Sequence, residues 1–491
     1  MTEHMAGFAR EQAVLFPDTL DEYADEENQV RFVDAFVGGP DLKALGFKRV
    51  EPSEMGRLSY DPYDMLKLLV YGYLNQVRSS RRLERECHRN VEMIWMMKKL
   101  RPDFKTISNF RKENVDCIKP VFKEFVYLCR SLNLFGGELL GIDGSKFRAV
   151  NSKQRNFNEA KLVDALKRLD EKIARCLNEM ELNDDDDDGA DDAQRSGVEK
   201  SKEKPSKLEE KRQEYPRAQN LMKETGQEEV SLTDPDSRLM MCNGRLDVCY
   251  NFETTFDSKN KLVIDCDVTN STTDQTQLSP IAGSARETLR VERVDVTADT
   301  GFSSAVGIKE CLNGITPFVP ELPTSPKGTA LKSGIPTPEF YKDRFAYDRE
   351  SDVYICPAGQ RPEFLYRLED DGKTFHAYRT ARGVCSSCPF FMTECTRNRN
   401  GRTMLGWEHE EVLEQMRARL KTPDGRSKLL VRKELCEHPF GTMKRAFNQG
   451  YLLLKGLRKV RGEMGFTMLA YNMRRAINIL GVRALLVYFA K

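Results

Sequence analysis

The sequence predicts a mixed α/β protein in which a helical N-terminal segment precedes a mixed sheet with helices on its faces, and two insertions interrupt that sheet. Three observations predict it. Apolar residues recur at three- and four-residue steps up to about residue 135, the period changes to two at residue 139, and strand-like and helix-like stretches then succeed one another to residue 319.

Residues 1–135 read as a helical domain. In DPYDMLKLLVYGYLNQVRSSRRLEREC, Met65, Leu68, Leu69, Tyr73 and Val77 form one apolar helix face. Ser80 precedes a basic, polar helix, and Arg78, Arg81, Arg82 and Arg85 are either phosphate contacts or the ordinary charged face of a small bundle. RPDFKTISNFRKEN at 101–114 caps and starts a further helix.

Residues 136–491 read as a sheet domain. Leu139, Leu140 and Ile142 lead into Asp143, and Ser145, Phe147 and Ala149 alternate after it, so a strand carries Asp143 near its middle. A first insertion, 155–228, follows. Leu162, Leu166, Leu169, Ile173, Leu177 and Met180 form a helical seam, the run NDDDDDGADD at 183–192 breaks it, and a second helix with Leu208, Tyr215, Ala218 and Met222 returns antiparallel. The aspartates then sit at the exposed tip of a helical hairpin, as an inert solvated turn. Leu246 to Phe256 and Leu262 to Val268 alternate on either side of the turn DSKN and make an antiparallel hairpin. QLSPIAGSARETL is helix-compatible, Val294, Val296 and Ala298 alternate up to Asp299, SSAVGIKECL is a short helix, and ITPFV is a fifth strand. Three antiparallel strands followed by helical crossovers to two parallel ones is the element order of an RNase H-like sheet.

Composition narrows the class. The 491 residues carry 77 Lys+Arg against 76 Asp+Glu and 40% apolar side chains, which fits a charge-rich globular chain and excludes a membrane-embedded or disordered one. At ~100 to 200 residues per domain the length suits two to four modules. MTEHMAGFAREQ lacks a signal pattern, and the longest apolar run, AINILGVRALLVYFA, is broken by Arg483, so a cytoplasmic protein with reduced cysteines is expected. The net charge of +1 conceals segregation: 183–192 holds seven aspartates, whereas 397–491 holds 20 Lys+Arg against 8 Asp+Glu, or +12. The basic end is either a polyanion surface or a solvated basic one.

In the expected sheet the first and fourth strands are neighbours, which brings Asp143 near Asp299. Glu437, in CEHPFGTMKRAF, is expected to begin a C-terminal helix whose basic side includes Lys444 and Arg445. Three carboxylates on one edge repel unless hard divalent cations neutralise them, and Mg2+ or Mn2+ are the natural occupants. Two such ions ~4 Å apart activate a water or a 3'-hydroxyl and stabilise the leaving oxygen of a phosphodiester.

The chain resembles the DDE transposases of bacterial insertion sequences, in the branch with an N-terminal helical domain and a cysteine-containing insertion. The segments that carry the resemblance run nearly the whole length in order: YDPYDMLKLLVYGYLNQVRSSRRLEREC, PDFKTISNFR, GIDGSKFRA, SLTDPDSRLM, VTNSTTDQTQLSP, ADTGFSS, CPAG with CSSCPFFMTEC, EHPFGTMKR and GLRKVRGEMGFTMLAYNMRRAINIL. The resemblance implies catalytic acids at Asp143 of IDGSK, Asp299 of ADTGF and Glu437 of EHPFG, together holding two Mg2+ or Mn2+ ions. Related transposases place a Tyr and an Arg seven and four residues before the Glu and a Lys seven after it. Lys444 fits the last place as a DNA-phosphate contact, Leu430 and Lys433 stand at the other two, and the upstream basic contact falls to Arg432 or Lys433. Implied with these are cleavage at terminal inverted repeats, strand transfer into target DNA, a homodimer on double-stranded DNA, a nucleoid-associated location, and neither a nucleotide cofactor nor a membrane partner. A catalytically silent, transposon-derived DNA-binding protein and a generic RNase H-like nuclease are the alternatives.

A second insertion, 325–410, carries Cys356, Cys385, Cys388 and Cys395 in CPAG and CSSCPFFMTEC. Two readings stand. Four thiolates hold a structural Zn2+ that orders a loop-rich segment, or they are reduced packing residues, since only one CxxC pair is present. His376 is a substitute ligand or a surface residue, and Trp407 a base-stacking or a core side chain. Cys249 and Cys266 occupy strand positions that suit a small apolar residue. Residues 317–347 read as an extended linker into the insertion.

Overall fold

The structure, a computed structural model, describes residues 19–52, 59–184, 192–242, 244–311, 313–321, 335–348, 350–370, 373–447 and 449–490. Residue contacts divide the chain into two compact units, Met1–Thr272 with Ser284–Val291 and Glu434–Lys491, and Thr273–Gly283 with Glu292–Lys433.

The first unit opens with helices. α1 (Gln29–Gly38) is capped by Asn28, whose side chain accepts the Val30 N–H. α2 (Pro62–Leu74) starts on an Asp61 cap with proline in its first turn. α2 is buried all round rather than along one face, because its polar residues are neutralised inside: Lys67 lies 2.8 Å from Asp34 and 3.4 Å from Asp64. α3 (Ser80–Arg89) begins one residue earlier than expected, with Ser79 at the cap position. α4 (Val91–Met96), α5 (Phe104–Glu113) and α6 (Ile118–Ser131) follow, the first two capped by Asn90 and Asp103.

β1 (Leu139–Arg148) then enters the sheet. β2 (Asn156–Phe157) leads into α7 (Glu159–Asp184), α8 (Asp192–Thr225) returns, and β3 (Val230–Ser231) pairs with β2. Leu162, Leu169, Tyr215, Ala218 and Met222 share one small core, and Arg212 meets Asp170 across the pair at 2.6 Å. The expected seam thins beyond Ile173, since Leu177 is 46% exposed. The aspartate run at 185–191 and the Met180 side chain lie outside the described residues.

β4 (Arg238–Cys242), β5 (Arg245–Asp257) and β6 (Val263–Thr269) complete the antiparallel part. β5 pairs with β1 along one edge, from Leu140↔Asp257 to Arg148↔Cys249. Its other edge takes β4 and then β6. The expected β1, β5, β6 meander is present, and β4 is an addition to it. Cys249 is fully buried and Cys266 is 6% exposed, and burial raises both thiols far above their ordinary range.

After α9 (Leu278–Leu289), the second unit holds β7 (Val294–Thr297) and β8 (Ile315–Phe318), parallel from Val294↔Ile315 to Thr297↔Phe318 and joined through α10 (Ala305–Glu310). The segment expected to be loop-rich instead forms a five-stranded antiparallel sheet: β9 (Ala346–Asp348), β10 (Val353–Ile355), β11 (Glu363–Asp370), β12 (Lys373–Arg379) and β13 (Thr403–Trp407). Residues 335–345, part of the expected linker, make short 3-10 turns. α11 (Glu410–Lys421) and α12 (Pro423–Gly441) follow, and a π-helical turn, Thr442–Ala446, continues α12.

α13 (Leu457–Leu480) and α14 (Val482–Phe489) belong to the first unit. α13 is buried from Val460 to Ala476 almost without interruption and packs on α2, α6 and β6, with Tyr73 stacked on Phe466 at 4.9 Å. The SLTDPDSRLM segment anchors its start: Asp234 accepts the Gly456 N–H at 3.0 Å and Asp236 the Leu457 N–H at 2.9 Å. No helix among the described residues is long and apolar enough to cross a membrane.

Candidate active site

Gly141, Asp143, Ser145 and Phe147 share one face of β1, because side chains alternate along a strand. Their partners on β5 are Phe256, Thr254, Phe252 and Tyr250. The C-terminal half of α12 covers this face. A Cβ at Gly141 would stand 2.7 Å from Leu435 and 2.9 Å from Cys436, so only glycine lets the helix approach so closely. Phe440 sits edge-on to Phe256 and Phe252, at 5.6 and 6.4 Å, which places it over Thr254, the partner of Asp143. Beyond it, Lys444 donates to Ser145 Oγ at 2.7 Å and stands over the Phe147 ring.

The helix therefore runs along β1 in register with it, from residues 435–436 over Gly141 to Lys444 over Ser145 and Phe147. Glu437 lies on the helical turn between these contacts, exposed, and Asp143, on the β1 face, is half-buried with a carboxylate oxygen accepting the Gly144 N–H at 3.0 Å. Glu437 does not begin the helix, as the sequence suggested. The helix begins at Pro423, and Glu437 is near its end. Burial pushes the Lys444 ammonium below the usual lysine range, while the Cys242 and Asp143 side chains draw it the other way.

Asp299 belongs to the second unit, at the C-terminal end of β7, where its carboxylate caps a 3-10 turn by accepting the Gly301 N–H at 2.8 Å. A Cβ at Gly301 would lie 2.9 Å from Asp299 Oδ1 and 3.3 Å from Asp274 Oδ2, so Asp274 is its neighbour. Asp274 was not singled out in the sequence, although it stands within VTNSTTDQTQLSP, and no spacing rule points to it.

The cationic candidates divide. Arg81 and Arg82 are exposed on α3, with Arg81 over the Phe104 ring at 5.0 Å. Lys433 is exposed and Arg432 half-buried on α12, and Arg445 is exposed on the π-helical turn. Arg78 is not a surface contact: it is buried, donating to Glu463 and to the Tyr451 carbonyl at 3.2 and 3.1 Å. Of the two insertion residues left open, His376 lies on β12 between the Phe364 and Tyr378 rings, and Trp407 is a core residue at 8% exposure.

Among the described residues no three His, Cys, Asp or Glu side chains are gathered into a group that could hold a metal. Asp143, half-buried on β1, and Glu437, exposed on α12, each carry oxygen donors of the hard type that Mg2+ prefers.

A family model described as a transposase DDE domain matches residues 355–477, which include Glu437 and Lys444 but neither Asp143 nor Asp299. A second, described as a transposase domain (DUF772), matches residues 18–113. No curated protein matches the chain significantly. Among solved structures, a cryo-EM structure of the piggyBac transposase synaptic complex with hairpin DNA aligns at 10% identity over 96% of this chain and 84% of that one, with a TM-score of 0.23, too low to argue from. The two family models, both of transposases, fall on the N-terminal helices and on the stretch from the cysteines to α13, consistent with a DDE transposase of an insertion-sequence family.

Proposed function

We propose that this transposase cuts the phosphodiester backbone at the terminal inverted repeats of its element and joins the freed 3'-hydroxyl to target DNA. Asp143, Asp299 and Glu437 are the metal-holding acids of that reading. The observation that supports it best is the course of α12 along β1, which carries Glu437 and Lys444 past the strand face that bears Asp143. Two Mg2+ or Mn2+ ions on these carboxylates would activate the attacking hydroxyl and stabilise the leaving oxygen.

The protein's own residues supply the positioning. Lys444, held by Ser145 and depressed in basicity by its burial, regains a favourable environment when a DNA phosphate arrives beside it. Arg81, Arg82, Arg432, Lys433 and Arg445 are the further phosphate contacts of the proposal, giving an affinity that falls steeply with salt. Two element ends must be paired for joining, so a homodimer on double-stranded DNA in the cytoplasm is part of the same reading.

The test is a cleavage assay. Purified protein with Mg2+ nicks a duplex carrying the element's end, and Asp143→Ala abolishes nicking while leaving gel-shift binding largely intact. Equal nicking by the variant would overturn the assignment.

A further inference from the structure

The four cysteines of the second unit lie around one cavity. Cys356 leaves β10, and Cys385, Cys388 and Cys395 come from the long loop between β12 and β13, yet all four line a cavity of about 20 Å3 closed by Phe340 and Phe345. That volume suits a single small occupant rather than a cluster.

The backbone around the thiols is folded into tight turns aimed at the cavity. The Cys356 N–H donates to the Gln360 carbonyl at 2.9 Å, Gly359 takes a left-handed φ of +78°, and the Gln360 N–H donates to Cys356 Sγ at 3.2 Å. Cys385 and Cys388 bracket a 3-10 turn closed by the Cys388 N–H on the Cys385 carbonyl, and the Thr380 hydroxyl lies 3.0 Å from Cys385 Sγ. The Cys395 N–H is held by the Phe390 carbonyl at 3.0 Å. An amide donor directed at sulfur, as at Cys356, stabilises a thiolate, the form in which cysteine ligates a metal.

The stability of this sheet calls for such a ligand. Its buried cluster is Phe345, Tyr354, Tyr378 and Met404, a small core for five short strands and a loop of more than twenty residues. None of the four cysteines forms a disulfide. Their sulfurs line the cavity without meeting at one point, so an ion bound there would have to draw them together.

We propose that Cys356, Cys385, Cys388 and Cys395 bind one Zn2+ tetrahedrally, and that this ion locks the β12–β13 loop onto the turn after β10. All-sulfur ligation with no open position makes the ion structural rather than catalytic. Binding displaces the thiol protons to solvent and leaves sulfur redox state unchanged.

The test is elemental analysis of the full-length protein purified without chelator, in the absence of DNA and of Mg2+, so that its result is independent of the cleavage assay. About one zinc per chain is expected. Cys388→Ser and Cys356→Ser each lose it, whereas Cys176→Ser, on α7 in the first unit, retains it. Titration of wild type with a mercurial in the presence of a zinc-sensitive dye releases the ion without any variant, which covers the case in which a serine variant fails to fold. Wild type free of zinc, an iron-containing chromophore, or full zinc in Cys388→Ser would each overturn the proposal.

Discussion

Asp143 and Glu463 are both carboxylates of the first unit, in opposite surroundings. Glu463, on α13, is fully enclosed, and its oxygens accept the Leu453 and Leu454 N–H groups at 3.0 and 2.9 Å and the Arg78 guanidinium at 3.2 Å. Those bonds fix the loop before α13 to the connection between α2 and α3. Asp143 lies half-buried on a strand face held by other residues: Gly141 against Leu435 and Cys436, and Phe252 and Phe256 against Phe440. At β1 apolar packing does the holding, and in the proposed function the acid beside it serves chemistry. Where the acid's hydrogen bonds do the holding, it serves architecture.

Four substitutions break or sharpen that contrast. Asp143→Asn, nearly isosteric, is expected to lower nicking by about a thousandfold, on the order of 4 kcal/mol in the barrier, with an unchanged urea midpoint. A large loss of stability would mean that Asp143 belongs with Glu463. Glu463→Ala is the converse. It leaves the Arg78 guanidinium buried without its carboxylate, and urea unfolding should show a loss of about 3 kcal/mol.

Gly141→Ala tests the packing beside Asp143. Its Cβ overlaps Leu435 and Cys436, so a destabilisation of about 2 kcal/mol is expected in the same assay, with reduced nicking because the turn bearing Glu437 is displaced. The smallest effect concerns Lys444. A lysine lowered by burial costs stability below its folded pKa, and that cost fades as pH rises through it; phosphate binding needs the charged form. End-binding affinity should therefore weaken as pH rises through a value below the usual ~10.4, and Lys444→Arg should remove the decline, a change of about tenfold or less.

Much of this architecture is legible in the sequence where apolar residues keep a regular period. β5 and β6 alternate in residue type, although the polar residues between, Asn251, Glu253, Thr255 and Asp265 among them, are buried as well, and the β7, α10, β8 unit follows from its spacing. β4 escapes notice because its outward residue Met241, 62% exposed, is as apolar as its buried neighbours. The face of α2 is misread for the reverse reason, since Asp64 and Lys67 are polar yet buried as partners. Arg78 looks like a surface cation beside Arg81 and Arg82, and its partner, Glu463, is 385 residues away in the chain. In the cysteine-bearing sheet the aromatics are scattered over strands of three to eight residues, too short for a period to show. The candidate acids, by contrast, emerge through the motifs around them and through the resemblance those motifs carry. Neighbouring Asp274 emerges only from geometry.

The central claim, that Asp143 holds a catalytic metal, is tested most directly by exchanging its oxygen ligand for sulfur. Asp143→Cys places a soft thiolate where Mg2+ needs hard oxygen, whereas Mn2+ accepts sulfur more readily. Nicking of the element's end by this variant should be absent in Mg2+ and partly restored in Mn2+, with wild type active in both. Undiminished activity of the variant in Mg2+ would contradict the account.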